Sequence, residues 1–283
     1  MAGAPLWFGD TRLFALLLYL GSEFGCKKAE LKTQGGRALT YCLGILLPAG
    51  LVLASDSRTN AGVDQIAQVR KLARLTVPGK RVIAILSAGN LATTQAVVTS
   101  LRQQAGSGAV GQDVYAAQTM FDVANIVGAK LREVVARDGS FVQPYGDPSG
   151  NFLVGGQISG EPPRLFQIYS AGNFVEASDR SCFLQTGETK YGKPILDRAL
   201  KPQTSLDEAA KLALLSFDAT IRSNLSVGLP IDLLRYETDR FSDGNFSTLD
   251  EDNAYWNSLR KSYHDGLASL VHSLLPPPAE AYE

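Results

Sequence analysis

The chain has 283 residues, 45% of them apolar and 19% charged, and 27 Lys and Arg nearly balance 28 Asp and Glu to give a net charge of -1. This composition suits a globular domain with a buried core, and it excludes a polybasic nucleic-acid binder and a disordered chain. The three cysteines are too few for a disulfide scaffold and both histidines lie near the C-terminus, so we expect neither a metal nor another cofactor. Scarce cysteine fits a reducing, cytoplasmic compartment.

The longest apolar run is LFALLLYL, at residues 13–20. As a helix it spans about 12 Å, well short of the ~30 Å hydrocarbon core of a bilayer. A signal peptide is also disfavoured, because Asp10 lies where positive charge is needed and no Ala-x-Ala cleavage site follows. We therefore expect no association with a membrane.

Apolar runs and turn residues predict the secondary structure from Thr40 onward. Strands are predicted in two hairpins and four later segments, at 40–48, 51–55, 71–77, 81–87, 151–159, 164–170, 174–177 and 231–237. Helical spacing of apolar residues predicts four helices, the third led by a Ser205/Glu208 capping box, at 90–104, 112–137, 207–222 and 255–275.

The order of these elements predicts an α+β fold in which two sheets share one core and helices cover the outer faces. No repeat, charge block or linker divides the chain after the N-terminal extension of residues 1–39, so residues 40–283 are predicted to form one domain. The sequence GSGAVG at 106–111 has the letters of a nucleotide-binding motif. It follows a helical pattern instead of a strand, so it is predicted to be a plain loop.

Three polar residues at predicted strand ends form a candidate catalytic group. Thr40 begins the first strand, Asp56 follows the second, and Lys71 opens the third. One interpretation is purely structural. Thr40 is then a strand residue, Asp56 begins a turn, and Lys71 is a solvated charge at a sheet edge. The competing interpretation is that they hydrolyse amide bonds without histidine.

The chemistry of a threonine nucleophile explains that second interpretation. A Thr hydroxyl is a weak nucleophile and needs an adjacent base. In a chain that begins at Thr40, the α-amine lies beside the hydroxyl and has an ordinary pKa of about 7.7–8.0. A lysine held by an aspartate supplies fixed positive charge, which lowers the pKa of both the amine and the hydroxyl.

These residues lie in two segments that resemble a known family. The sequences TYCLGILL at 40–47 and ASDSRTNAGVD at 54–64 resemble the start of a proteasome β-type subunit, and more specifically the bacterial Anbu (ancestral β-subunit) peptidases. Weaker matches follow in the same order over the rest of residues 40–283, at SAGN 87–90, FLVGG 152–156, QTGE 185–188 and SNLSVG 223–228.

The resemblance implies the four-layer αββα sandwich of N-terminal-nucleophile hydrolases. It also implies that Thr40 is the nucleophile and, through its amine, the general base. Asp56 and Lys71 would then be the charge pair that tunes Thr40, Gly89 would offer a backbone N–H to the oxyanion, and Thr186 would lie near the amine.

The same resemblance implies roles for three further residues. The backbone carbonyl of Arg58 would accept a hydrogen bond from the catalytic lysine, and Arg58 and Asn60 would contact the substrate. Proteasome β-subunits place an Asp before a Ser-Gly-Gly near the amine, whereas this chain has Asn224. An amide can hydrogen-bond the amine but lacks the charge of a carboxylate, so the electrostatics of the site would differ.

Other conspicuous residues are predicted to be structural. Cys42 is predicted to pack in the core on the face that Thr40 uses, and Glu188 and Lys190 to form a solvated helix start. Three aromatic residues are predicted to lie in the core or in a subunit contact, namely Phe141, Tyr145 and Phe152.

A free amine on Thr40 requires that the 39 preceding residues be absent from the active chain. One hypothesis is that translation starts at Leu39, read as an initiator Met from a TTG or CTG codon, with QGGR at 34–37 encoded by a ribosome-binding sequence. The second is a cleaved propeptide, although Leu39 departs from the Gly–Thr bond at which proteasome precursors cleave themselves. In the third the segment is retained, and Thr40 is inactive.

The predicted function is that of a cytoplasmic, proteasome-like threonine peptidase that acts on peptides or proteins. The resemblance implies self-association into a ring or an open helical oligomer, with no nucleic-acid or membrane partner. Two alternatives stay open. One is an amidohydrolase or amide-ligating enzyme with the same nucleophile, and the other is a catalytically silent assembly scaffold.

Overall fold

The computed structural model describes residues 40–60 and 66–278, so the predictions for residues 1–39 and the matching positions 61–64 lie outside the described residues. The strands are β1 (Tyr41–Leu47), β2 (Gly50–Asp56), β3 (Arg58–Asn60), β4 (Ile66–Gln68), β5 (Leu72–Val77), β6 (Arg81–Gly89), β7 (Gly150–Ile158), β8 (Arg164–Ile168), β9 (Phe174–Glu176), β10 (Phe183–Gly187), β11 (Ile231–Glu237) and β12 (Asn245–Leu249). The helices are α1 (Leu91–Gln104), α2 (Met120–Val142), α3 (Lys193–Ala199), α4 (Leu206–Ser223) and α5 (Ala254–Ser273).

Most of the strands form two antiparallel five-stranded sheets. The first sheet has the order β10-β1-β2-β11-β12, and the second sheet has the order β5-β6-β7-β8-β9. The short strands β3 and β4 pair in a ribbon that follows the end of β2. Both predicted hairpins are confirmed, as β1–β2 and β5–β6.

Alternation along the strands divides the core into layers. In β1, Tyr41 and Leu43 pack against α3, α4 and α5, whereas Cys42 between them faces the second sheet. In β6, Ile83 packs against α1 and α2, whereas Ala84 faces the first sheet. Because side chains alternate between the faces of a strand, each sheet contributes one face to the inter-sheet core and the other to a helix layer. The predicted four-layer αββα sandwich is confirmed.

The prediction of a helix at 112–137 is wrong for its first turns, because the helix begins only at Met120. Asp113 accepts hydrogen bonds from backbone N–H groups on both sides of it, including those of Gly106 and Gly108. Those bonds hold the segment as a loop, so the glycine-rich sequence is the loop that was predicted. The helix α2 begins only after Thr119, whose hydroxyl accepts from the backbone N–H of Asp122 at 3.1 Å.

Other predicted boundaries agree with the structure within a few residues, and the strand predicted at 231–237 coincides with β11. The strands β3, β4, β10 and β12 and the helix α3 were not predicted. Their sequences, RTN, IAQ, FLQTG, NFSTL and KPILDRA, are too short to establish a period of two or of 3.6 residues. Among the described helices, none has the length and apolar character needed to cross a bilayer.

Helix α5 is anchored to the rest of the domain near its N-terminus. Trp256 is 1% exposed and packs in the helix layer of the first sheet, and it is the buried residue of this helix. One turn later, Arg260 Nε donates to Asp218 Oδ1 of α4 at 2.7 Å. The docking of α5 therefore depends mainly on Trp256, with the partly buried Leu259 and one ion pair in support.

We expect Trp256→Ala to lower the free energy of unfolding by about 3–5 kcal/mol, because it removes the largest buried side chain of α5 and leaves a cavity. Denaturant unfolding at one fixed protein concentration measures the change. The control is Tyr255→Ala, at a neighbouring side chain that is 52% exposed. This control should alter the free energy by no more than about 0.5 kcal/mol, and equal losses in both variants would contradict the anchoring role of Trp256.

Candidate active site

Three chain segments bring the candidate catalytic group together. Thr40 directly precedes β1, Asp56 is the last residue of the neighbouring strand β2, and Lys71 directly precedes β5 of the second sheet. All three side chains are buried. The group therefore lies at one end of the inter-sheet core, where the first sheet supplies the hydroxyl and the carboxylate and the second sheet supplies the ammonium.

The Lys71 ammonium is held by three acceptors. Its Nζ donates to Thr40 Oγ1 at 2.8 Å, to Asp56 Oδ1 at 2.8 Å and to the backbone carbonyl of Arg58 at 2.6 Å. An ammonium has three N–H donors, so all of them are used. The lysine is therefore fixed in one orientation, with a positive charge in contact with the threonine hydroxyl.

Asp56 balances that charge inside the protein. The residue is fully buried, and its Oδ1 also accepts from the backbone N–H of Tyr41 at 3.1 Å. Burial raises the pKa of Asp56, and the Lys71 ammonium and the Tyr41 N–H act in the opposite direction. Removing either member of such a buried pair leaves an uncompensated charge.

The strand β6 ends beside this group at Gly89. Two residues earlier, the backbone N–H of Ser87 donates to the Lys71 carbonyl at 3.1 Å, which ties the end of β6 to the lysine. Gly89 has a φ of 106°, and a Cβ there would lie 2.6 Å from the Ser149 carbonyl oxygen. The role of Gly89 as a backbone donor to an oxyanion stays a prediction.

The strand β10 contacts Thr40 through its backbone. Thr186 is buried and pairs with Cys42 across the β1–β10 ladder, so it shares a face of the first sheet with Cys42. The next residue, Gly187, has a φ of 87°, and a Cβ there would lie 1.7 Å from the Thr40 carbonyl oxygen. That oxygen accepts from the backbone N–H of Glu188 at 2.7 Å. The role of Thr186 stays a prediction.

Glu188 corrects one of the structural predictions. It is only 5% exposed, and its Oε2 accepts a hydrogen bond from Asn224 Nδ2 at 2.9 Å. It was predicted to lie at a solvated helix start, but it follows β10, and the loop after α4 contacts its carboxylate. Lys190 is exposed, as predicted. The sequence contained one signal of this burial, because Glu188 directly follows Thr186 and Gly187 in a segment that resembles the family.

The loop after α4 closes one side of the site. Asn224 is the C-cap of the helix, and its Oδ1 accepts from the backbone N–H of Ser226 at 2.9 Å. Arg58 Nη1 donates to the Leu225 carbonyl at 3.0 Å, and its guanidinium lies against Gly228. Arg58 therefore links this loop to Lys71, because its own carbonyl accepts from the ammonium. The side chain of Asn60, the other predicted substrate contact, lies outside the described part of the structure.

Comparison with known proteins identifies the family. The proteasome subunit family matches residues 39–233. A proteasome subunit beta 2 from Pyrobaculum neutrophilum is 30% identical over 198 residues, which are 68% of this chain and 86% of that protein. The chain belongs to the proteasome subunit family. A second proteasome subunit beta 2, from Pyrobaculum calidifontis, is 29% identical over 192 residues, 68% of this chain and 86% of that protein.

Solved structures place this proteasome-family chain beside Anbu, as its sequence predicted. Anbu from Yersinia bercovieri is 44% identical with a TM-score of 0.80, and the match covers 84% of this chain and 99% of that one. The Anbu complex from Pseudomonas aeruginosa, described as a helical assembly, is 46% identical with a TM-score of 0.82 and coverage of 86% and 100%. The similarity therefore extends through the whole Anbu fold.

The structural predictions for the remaining residues are confirmed in part. Cys42 is fully buried in the inter-sheet core, as predicted. Phe152 lies in the core, whereas Phe141 and Tyr145 are 76% and 93% exposed, and for these two a subunit contact stays a prediction. Within the described residues, no group of three or more His, Cys, Asp or Glu side chains is placed to hold a metal ion.

We expect Cys42 to be inert in the folded protein. Its burial raises the pKa of the thiol, and the thiolate is the reactive form. Iodoacetamide labelling followed by peptide mapping should show Cys42 reacting at least ~10-fold more slowly than the partly exposed Cys182. Both cysteines should react after denaturation, and equal rates in the folded protein would contradict the assignment of Cys42 to the core.

Proposed function

We propose that this chain is a threonine peptidase in which Thr40 Oγ1 attacks the carbonyl carbon of a peptide or protein substrate. The observation that carries the proposal is the contact of 2.8 Å between the Lys71 ammonium and Thr40 Oγ1. A buried cation beside a hydroxyl stabilises the alkoxide that develops as the proton leaves. Asp56 keeps that cation in place by accepting from Nζ at 2.8 Å.

The reaction needs a base beside the hydroxyl. In a chain that begins at Thr40, the neutral α-amine takes the proton from Oγ1 while Oγ1 bonds to the substrate carbonyl carbon. The carbonyl oxygen becomes an oxyanion, to which the backbone N–H of Gly89 donates in the proposed arrangement. The amine then returns the proton to the leaving nitrogen as the C–N bond breaks. Water cleaves the resulting ester by the same route and restores the threonine.

The active domain in this mechanism is residues 40–283. A residue before Thr40 would convert its α-amine into an amide, which cannot serve as the base. The mechanism also makes the mass of the mature chain the first test. A species that begins at Thr40 should form a covalent adduct with a threonine-directed electrophile, and peptide mapping should locate the adduct on Thr40. The matched control is Thr40→Ala, which lacks Oγ1 and should remain unlabelled.

The alternatives predict different outcomes of the same experiment. An adduct on Thr40 without hydrolysis of any peptide would favour an amidohydrolase or amide-ligating enzyme with a special substrate. The absence of an adduct on a chain that begins at Thr40 would favour a silent assembly scaffold and contradict the proposal.

We expect Lys71→Ala to reduce turnover by at least ~100-fold, because it removes the cation that stabilises the Thr40 alkoxide. Steady-state peptide hydrolysis measures the loss, and thermal unfolding of the same sample shows whether the variant is folded. Lys80→Ala is the matched control, because Lys80 is exposed in the turn at the far end of β5. Turnover of Lys71→Ala within a few-fold of the wild type would contradict the assigned role.

We also propose that the chain self-associates, as a cytoplasmic ring or open helix of identical subunits. The helical assembly described for the Pseudomonas aeruginosa relative supports this proposal. So does helix α5, because its exposed residues Leu267, Leu270 and Val271, together with Leu274 at its C-cap, have the spacing of one apolar helix face. Light scattering after gel filtration should give a mass of several subunits, and a monomer at all concentrations would contradict self-association.

A further inference from the structure

Glu188 is a buried carboxylate that forms no ion pair within the part of the chain that the structure describes. One of its oxygens, Oε2, accepts from the amide of Asn224, and the residue is 5% exposed. Among the described residues, no Lys, Arg or His side chain forms an ion pair with it. A buried carboxylate is costly unless hydrogen bonds or an opposite charge compensate it. One neutral amide is little compensation, which indicates that a further positive group belongs beside Glu188.

The backbone brings Glu188 next to the first residue of the proposed active domain. Its N–H donates to the Thr40 carbonyl oxygen at 2.7 Å. The nitrogen of Thr40 lies about 3 Å from its own carbonyl oxygen, so it is within roughly 6 Å of the Glu188 backbone nitrogen. A glutamate side chain spans a similar distance, so the carboxylate can reach an amine on Thr40.

Asn224 does not supply the missing charge and has its amide engaged on both sides. Its Nδ2 donates to Glu188 Oε2 and its Oδ1 accepts from the backbone N–H of Ser226, each at 2.9 Å. The side chain therefore acts as a fixed support for the carboxylate. An ammonium carries only donors and binds most strongly to an anionic acceptor, which here is Glu188.

We propose that the Glu188 carboxylate is the counter-ion of the Thr40 α-ammonium and positions this amine beside Oγ1. The inference rests on the proposed function, because the amine exists only in a chain that begins at Thr40. The site then holds two charge pairs, Asp56 with Lys71 and Glu188 with the amine. Lys71 lowers the pKa of the amine, whereas Glu188 raises it, so the two side chains together set the proton affinity of the base.

Glu188→Gln tests the charge while keeping the shape of the side chain. The Gln carbonyl oxygen can still accept from Asn224, so the loop after α4 keeps its support. Without the anion, the amine loses its proton more easily, and we expect its pKa to fall by about one unit or more. The rate of acetylation of the α-amine by acetic anhydride, followed by mass spectrometry across a pH series, gives this pKa.

The acid limb of kcat/KM against pH should move to lower pH by the same amount. The matched control is Glu251→Gln, which removes an exposed carboxylate just before α5 and should leave both profiles unchanged. A role of Glu188 that is only structural predicts no change in the pKa of the amine. A folded Glu188→Gln variant with an unchanged amine pKa would therefore overturn the proposal.

A second measurement needs no variant. In an experimental structure of the chain that begins at Thr40, the α-nitrogen should lie within about 4 Å of a Glu188 carboxylate oxygen, and a separation beyond about 6 Å would overturn the proposal. The two proposals fail separately. A lowered amine pKa in Glu188→Gln without peptide hydrolysis in the wild type rejects the peptidase and keeps the counter-ion. Peptide hydrolysis by the wild type with an unchanged amine pKa in Glu188→Gln keeps the peptidase and rejects the counter-ion. A chain that always retains residues 1–39 contradicts both proposals.

Discussion

The site depends on one buried ammonium that joins the two sheets. Lys71 directly precedes β5, the edge strand of the second sheet, whereas Thr40 directly precedes β1 and Asp56 ends β2, two adjacent strands of the first sheet. The hydroxyl and the cation meet only when the sheets are packed in their native register, because no single sheet contains both. The packing of the two sheets in the αββα fold therefore assembles the site, and the inter-sheet core determines the distances between its side chains.

A buried ion pair is weak evidence for stability, since desolvation of both charges offsets much of their attraction. Apolar packing on both sides of the sheets holds the domain together, and the charges lie at one end of that packing. The loop after α4 lies at the same end. Arg58 contacts this loop through the Leu225 carbonyl, and Glu188 contacts it through Asn224. Stability alone therefore does not explain a buried ion pair at this position, which favours the proposed catalytic role.

The sequence predicted the parts of the fold that local pattern determines. The hairpins, most helices and the Thr40–Asp56–Lys71 group follow from periodicity, turn residues and a resemblance carried by short segments. The start of α2 was missed because Asp113 binds nearby backbone N–H groups that the apolar spacing does not reveal. The burial of Glu188 was missed because its partner Asn224 is 36 residues away, and only the tertiary fold brings them together.

The peptide unit that joins Thr40 to Tyr41 is held on both edges, since its N–H donates to Asp56 and its carbonyl accepts from Glu188. The threonine hydroxyl is held by Lys71 as a third point. The Cα of Thr40 is thus held through two of its substituents, the carbonyl carbon and Cβ, and the fixed chirality of the residue then determines the direction of its nitrogen. Chain ends are normally the most disordered part of a domain. A terminus at Thr40 would instead carry the conformational restraint of an interior residue, and little entropy would remain to be lost when the amine turns toward the hydroxyl.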